Sequence, residues 1–425
     1  MLRRLAVISA LLLVAFAALP ARSARRPRYG GTLRVEMGAS VATIDPDATA
    51  ATPEEAAAKM QIDALIFDHR DADGAFAGTV GSGPFQVTSW EAGKRAVLAA
   101  NEEFREGRPF VDGIEIVMGR GAPERLVDLE LSKTDLAEIP PQDARRAAEQ
   151  GVRVSVSPPD ELLALVFVGH NPLRTPEGTR SGNAAGAAGG RASGRPIARA
   201  TEEVMGQTLS LAIDRVAIVN FILQKTGEPA GGLLPQWLSG TAFLFPAGAP
   251  TAAELERAKE LSKEIAAAGP LVLGYDSADP LEQSVAERIV VNAKEAGMAV
   301  RAQALPDAGN SRSTALQTAH VDARLVRWRM TSPLPREAFK SIPLGDDTNT
   351  PARLDAVPFP DPATPEDIYK QQRAVLSRFN VVPLVWLPQV YGLSARVRDW
   401  KAPGPGENWP LADVWLDAET PTGVQ

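Results

Sequence analysis

Residues 271–305 constrain the fold more than any other stretch of this chain. LVLGYD, Leu271–Asp276, reads as a strand, and DPLEQSVAERIVVNAKEAG after it reads as a helix with both ends marked. Asp279 stands at the cap, Pro280 is first inside, Glu282 lies three residues on to complete a capping box, and Gly297 ends the helix. Leu281, Val285, Ile289 and Ala293 recur every four residues and predict one buried stripe. MAVRAQAL then returns to strand. Strand, crossover helix, strand is a βαβ unit, so this half must hold a parallel sheet with a right-handed connection, and the chain is α/β.

The remaining bulk properties narrow the class. A chain of 425 residues with 44% apolar composition builds a large core and favours two lobes over one. Its first residues, MLRRLAVISALLLVAFAALPARSA, combine Arg3 and Arg4, an apolar run Leu5–Leu19, a breaking Pro20 and the small residues Ala21 and Ser23. That is the pattern of a secretory signal cleaved after Ser23; the apolar run is about 15 residues where a spanning helix needs about 20. Removing residues 1–23 takes away Arg3, Arg4 and Arg22 and moves the formal charge from −7 to −10, which argues against phosphate-backbone binding and nucleic acid as a partner. The absence of cysteine in an exported chain means that no disulfide staples the fold and no lipid sits on an N-terminal cysteine. A soluble periplasmic location is expected.

Elsewhere the pattern changes from segment to segment. GTLRVEM carries a short strand, Thr32–Glu36, and TPEEAAAKMQIDALIF a helix with Thr52 as cap. In GSGPFQVTSWEAGKRAVLAANEEF, Phe85, Val87 and Trp90 should pair across the Glu91–Lys94 turn with Ala96, Leu98 and Ala100. GIEIVM adds a third strand, and APERLVDLELSK a helix with Leu126, Val127 and Leu129 on one side. VRVSVSPPDELLALVFVGHN and YKQQRAVLSRFNVVPLVWLPQVYGL read as short strands or segments broken by prolines. VMGQTLSLAID and RVAIVNFILQKTG give two successive helices, the second capped by Asp214, and Glu254–Ala268 a third, stopped by Gly269. Gly178–Arg195 is a low-complexity run of Gly, Ala, Ser and Arg, read as a surface loop near a domain junction.

Chemistry is sparse. His69, His170 and His320 are scattered, with no HExxH and no thiolate, so neither a metal nor another cofactor is expected. No serine sits in GxSxG or three residues before a lysine, and no GxxxxGK[ST] is present. GSGPFQ and GRGAPE lack the last glycine of a dinucleotide loop. Glu102-Glu103 and Asp346-Asp347 read either as acid–base pairs or as solvated surface. Arg327, Trp328 and Arg329 in RLVRWRMTSP suit a face where a ring and two guanidinium groups meet a ligand, or an edge-strand arginine pair around one core tryptophan. Trp386, Tyr391, Trp409 and Trp415 read as core.

In order along the chain, GTLRVEM, GSGPFQVTSWEAGKRAVLAANEEF with GRPFVDGIEI, DLAEIPP, LSLAIDRVAIV with GEPAGGLLP, and VPLVWLPQVYGL resemble the extracytoplasmic solute-binding proteins of the oligopeptide, dipeptide and nickel class of ABC importers, solute-binding family 5. The resemblance implies a two-lobed type II binding-protein fold with mixed sheets and hinge strands. It divides the chain into a signal peptide at 1–23, a first lobe at 24–170, a hinge-proximal loop at 171–200, a second lobe at 201–395 and a return to the first lobe at 396–425. It makes the hairpin framework, closed by Asn101 and Phe104, and FVGHN the strand into the hinge. It implies a monomer that binds a peptide or other small solute and passes it to an ABC permease with its ATPase, without being an enzyme. Two departures stand out. Only Ala39–Val80 remain where relatives carry an extra subdomain, and RWRMTSPLPREAF lacks the aspartate that holds a peptide amine, so Arg327 and Arg329 would favour an anionic group. The ligand-facing residues expected are Met37, Gly38, Ala39 and Ser40 after the first strand, with Arg327, Trp328 and Arg329. The rival readings are a degenerate homologue acting as a sensor or interaction protein, motivated by the shortened first lobe, and an exported hydrolase using carboxylates.

Overall fold

The computed structural model describes residues 26–50, 52–67, 81–168, 199–306, 321–340, 342 and 364–417. The expected signal, the 178–195 loop, the three histidines and Asp346-Asp347 lie outside these residues.

The strands are β1 (Thr32–Glu36), β2 (Phe85–Glu91), β3 (Arg95–Ala100), β4 (Gly113–Val117), β5 (Leu136–Glu138), β6 (Arg153–Phe167), β7 (Glu228–Pro229), β8 (Leu271–Asp276), β9 (Val300–Leu305), β10 (Ala323–Arg329), β11 (Val381–Leu393), β12 (Val397–Arg398) and β13 (Trp415–Leu416). The first eleven form one mixed sheet in the order β2-β3-β4-β1-β5-β11-β6-β10-β8-β9, with β7 on β11; β12 and β13 pair separately.

Local signals built most of it. The hairpin has the predicted register, Phe85 with Ala100, Val87 with Leu98 and Trp90 with Ala96, and a bulge between Val87 and Ser89 where Thr88 Oγ1 donates to the Val97 carbonyl at 2.9 Å. Its base is tied by Asn101, whose Nδ2 donates to the Gly83 carbonyl at 2.8 Å while its Oδ1 accepts from the Glu103 amide at 3.1 Å. The βαβ unit is present: β8 and β9 run parallel, and helix Pro280–Glu295 buries Leu281, Val285, Ile289 and Ala293. Burying each of the three larger side chains stabilises by about 1.5–3 kcal/mol. Thr52, Asp214, Thr251 and Thr364 each accept an amide hydrogen bond at a helix start.

Three expectations change. Glu282 does not close a capping box, because its Oε2 accepts from the Asp276 amide at 2.8 Å, and Asp279 alone caps through Leu281 and Glu282. Val127 is 46% exposed, and the buried side of helix Ala122–Glu130 is Leu126 and Leu129. The helix after Asp214 is a short α-turn, Arg215–Ala217, running into a π-turn, Ile218–Ile222, with Gln224 and Lys225 at positive φ.

The largest difference concerns the proline-rich segments. β6 and β11 are single strands of 15 and 13 residues, antiparallel along their length. Proline removes a ladder donor, and here the losses coincide: Pro159 faces Pro388, the register shifts on both sides of Pro388, and pairing resumes beyond. Below this crossing Val390–Leu393 pair with Arg153–Val156 next to β5; above it Val381–Leu387 pair with Glu161–Val166 next to β10. Within the described sheet, β6 and β11 are the strands that join the two halves.

The core divides at the same place. Leu33, Val35, Phe85, Leu98, Ile114 and Leu136 pack with Tyr391, Trp400, Trp409 and Leu411 in the first half. In the second, Leu165, Met205, Leu209, Leu273, Ile289, Leu325 and Leu384 fill one face, and Leu162, Leu234, Trp328, Phe339 and Trp386 the other.

Candidate functional site

The residues singled out in the sequence fall into two groups. At the end of β1, Met37 is only 1% exposed and belongs to the first-half core, Ala39 is half-buried, and Gly38 and Ser40 are exposed. Backbone bonds tie this turn to the end of β4: Met37 N donates to the Val117 carbonyl at 2.9 Å and Arg120 N to the Met37 carbonyl at 3.1 Å. A Cβ at Gly38 would lie 2.7 Å from Arg125 Nη1, so a larger residue there would displace that guanidinium. Beneath it, Glu36 sits 3.9 Å from Arg120; burial first, then the Asp128 charge, pushes its carboxyl up to about 7.

The second group lies at the end of β10, where strand alternation splits it. Trp328 points into the core, 7% exposed and edge-on to Trp386 at 6.1 Å, so it does not share a face with the arginines. β10 also lies between β6 and β8 and is no edge strand. Arg327 and Arg329 emerge on the other side, and both clasp Glu161 of β6. Arg327 Nε donates to Glu161 Oε1, and Arg329 Nη2 and Nε donate to Oε2 at 3.1 and 3.3 Å. Arg327 Nη1 also donates to Asp279 Oδ2 at 2.8 Å. Asp279 therefore caps its helix with one oxygen and holds an arginine with the other.

The expected preference for an anion supposed unpaired arginines, and here both are paired. Burial raises the Glu161 carboxyl, but the charges of Arg327 and Arg329 outweigh it and hold it near about 2. Burial lowers both guanidinium pKa values, and the facing carboxylates, Glu161 first, more than reverse this. Neither arginine is left without a carboxylate. Glu138, at the end of β5, adds a further negative charge that acts on Arg329, on Arg125 and on Tyr391, while its backbone carbonyl accepts Arg125 Nε at 2.7 Å. Burial pushes the Tyr391 phenol well up, with Glu138 adding to it.

Sequence reasoning did not single out Asp160, Glu161, Gln389 or Glu138. Asp160 is 4% exposed, and burial first, with Glu161 adding, pushes its carboxyl up to about 7 against Arg329 and a 3.1 Å hydrogen bond from Gln389 Nε2. The available signal was charge on matching strand faces: an acidic pair just after Pro158-Pro159, and two arginines two residues apart. Glu102 and Glu103 are exposed, as the solvated-surface alternative had it, and Glu102 Oε1 accepts from Arg108 Nε at 2.7 Å. Among the described residues no cluster of His, Cys, Asp and Glu is suited to a metal, and no helix is long and apolar enough to cross a membrane.

Residues 32–349 match the family model of the bacterial extracellular solute-binding proteins, family 5 (middle). The chain belongs to this family. Among curated family relatives, the oligopeptide-binding protein AppA of Bacillus subtilis is 24% identical over 151 residues, 36% of this chain and 23% of AppA. The protein of Escherichia coli K12 named "Probable D,D-dipeptide-binding periplasmic protein DdpA" is 26% identical over 252 residues, 58% of this chain and 43% of its own length. The chain thus spans less than half the length of the curated relatives it matches. The solved ABC transporter substrate-binding protein CtaP of Listeria monocytogenes superposes with a TM-score of 0.69 at 15% identity, over 92% of this chain and 100% of that one. AppA of B. subtilis in complex with a nonapeptide gives 0.61 at 12% identity over the same shares. The family 5 fold expected from the sequence, mixed α/β of the type II periplasmic binding-protein kind, is therefore the observed one. The family match takes in β1 through β10, with both groups of candidate residues.

Proposed function

We propose that the protein is the periplasmic substrate-binding component of an ABC importer, capturing a peptide-like or other small solute between two lobes and delivering it to a membrane permease driven by an ATPase. The observation that carries this reading is the crossing of β6 and β11: two bodies with separate cores, joined in the described sheet by two strands whose register shifts on both sides of Pro388, opposite Pro159, and again between Pro383 and Val385. Contacts made to both bodies exist only when they are closed on the ligand, so binding shifts a hinge equilibrium. The lobes then meet at that crossing, with the segment after β11 belonging to the first lobe, and the short span between β1 and the hairpin leaves the chamber more open on that side. Ala39, Ser40, Arg327 and Arg329 face the ligand, with Gly38 making room and Met37 and Trp328 supporting them from the cores. Since the arginines are already paired with Glu161 and Asp279, the floor favours hydrogen-bond donors or positive groups over anions. The chain works as a monomer, and nothing in the floor asks for turnover of the ligand.

Native mass spectrometry of the protein purified after export is the test. A co-purifying small molecule is expected, and its removal and readdition should raise and lower the radius of gyration. No retained mass, together with no thermal shift across di- to pentapeptides, overturns the importer reading in favour of a sensor.

A further inference from the structure

Pro159 and Pro388 oppose each other at the crossing, and the register shift leaves Gln389 without a ladder partner. Three bonds that involve side chains replace the ladder. Gln389 N donates to Ser157 Oγ at 2.8 Å, and Gln389 Nε2 donates to Asp160 Oδ1 at 3.1 Å and, more weakly, to Glu161 Oε2 at 3.4 Å. Ser157 is itself fixed, its hydroxyl reaching the Pro158 carbonyl at 2.7 Å, and the Asp160 carbonyl accepts Met330 N at 2.8 Å from β10. One side chain therefore touches both the unladdered level of the two connecting strands and the carboxylate that holds Arg327 and Arg329.

We infer that Gln389 is a positioning residue that couples the pivot between the two bodies to the arginine pair facing the ligand. The inference rests on the closure reading above. When the bodies rotate about the Pro159–Pro388 level, β11 moves against β6, and the Gln389 amide must follow Asp160 and Glu161 or let go of them. If it follows, Glu161 and its two arginines move with the pivot, so floor geometry and hinge angle are set together. The groups facing Asp160 are Glu161 on its own strand, Arg329 on β10, and Gln389 and Tyr391 on β11; Glu138 on β5 acts on the same Arg329 and Tyr391. With Asp160 ionised, two adjacent carboxylates accept from the two N–H groups of one amide and the grip is firm. With Asp160 protonated, the carboxyl carries its own donor and the grip loosens.

The test uses the absence of native cysteine. Spin labels placed through Glu91→Cys and Glu287→Cys, both exposed and one on each body, report inter-body distances by pulsed dipolar spectroscopy without any ligand. Wild type should show an open-to-closed ratio that differs between pH 6 and pH 8. Gln389→Met, which keeps the length and the backbone bond to Ser157, should shift that ratio by about fivefold, the factor a net hydrogen bond corresponds to, and remove its pH dependence. Asp160→Asn, which like the protonated carboxyl is neutral and carries its own donor, should hold the wild-type pH 6 ratio at both pH values. Melting temperatures of the variants, expected within a few degrees of wild type, separate coupling from loss of fold. A wild type that moves while Gln389→Met leaves ratio and pH profile unchanged overturns the inference alone. A wild type with one fixed distance at both pH values overturns the closure reading and this inference with it.

Discussion

Asp135 and Asp160 are both buried aspartates, at 0% and 4% exposure, one in the body of the first half and one at the crossing between halves. Their surroundings are opposite. Asp135 receives six hydrogen bonds: from the Arg34 backbone, from Arg34 Nε and Nη2, from Arg396 Nε and Nη2, and from Ser394 Oγ. Burial raises its carboxyl, but Arg396 and Arg34 outweigh this and hold it at about 2. Asp160 has one side-chain amide for its carboxylate and a like charge beside it, and burial leaves it at about 7. The difference teaches where the molecule is permanent and where it is adjustable. Around Asp135 the last segment is bolted to β1 and β5, whereas at Asp160 the polar groups are matched too loosely to fix one arrangement.

The largest effect is expected from removing the bolt. Asp135→Ala leaves Arg34 and Arg396 facing each other without their carboxylate and should destabilise by about 3–5 kcal/mol, read by urea unfolding. The same pair gives a pH signature. The folded pKa lies below the unfolded value, so the stabilisation is complete above about 4 and is lost as pH falls towards 2. A variant within 1 kcal/mol of wild type at pH 7 would erase the contrast between the two regions.

Asp160→Asn should act in the other direction. The wild-type carboxyl keeps its proton in the folded chain up to about pH 7 but releases it near pH 4 when unfolded. Wild-type stability from this group therefore falls as pH rises from about 4 to about 7 and stays lower above that. The neutral amide escapes this loss, so the variant should be more stable than wild type at pH 8, on the order of 1–2 kcal/mol, with the gain shrinking towards pH 5. A variant less stable than wild type at pH 8 would mean that the hydrogen bonds of the ionised carboxylate outweigh the cost of burying its charge.

The same contrast explains what was legible in the sequence. The hairpin register and the βαβ unit were readable because period, caps and turn residues lie within a few tens of residues of one another. The crossing was not, because Pro158, Pro159, Pro383 and Pro388 look like strand breakers until two distant segments are laid side by side and Pro159 falls opposite Pro388. Glu161 and Arg327 are 166 residues apart, and Asp135 and Arg396 261 apart, so no local pattern announces either pair. For the candidate site, Arg327 and Arg329 were visible as unusual residues in a strand, but their pairing was not, since their counter-charges arrive from β6 and from a helix cap. Met37 and Trp328 were drawn into the site by adjacency in sequence, and strand alternation sends both to the core.

The smallest effect is the sharpest probe of redundancy. Ser394 donates its hydroxyl to Asp135 Oδ1 at 2.9 Å, one of six bonds to that carboxylate, whereas Gln389 gives the Asp160 carboxylate its side-chain amide. Ser394→Ala removes a neutral donor but leaves both arginines in place, so the net loss should be that of an ordinary hydrogen bond, about 0.5–1.5 kcal/mol at neutral pH. Because the charges that depress the Asp135 pKa are untouched, the drop in stability towards low pH should keep its position and only shift in height. If the serine were instead essential to the carboxylate's ionised state, the acid transition of the variant would move upward by a full pH unit or more, and the first half would be as finely balanced as the crossing.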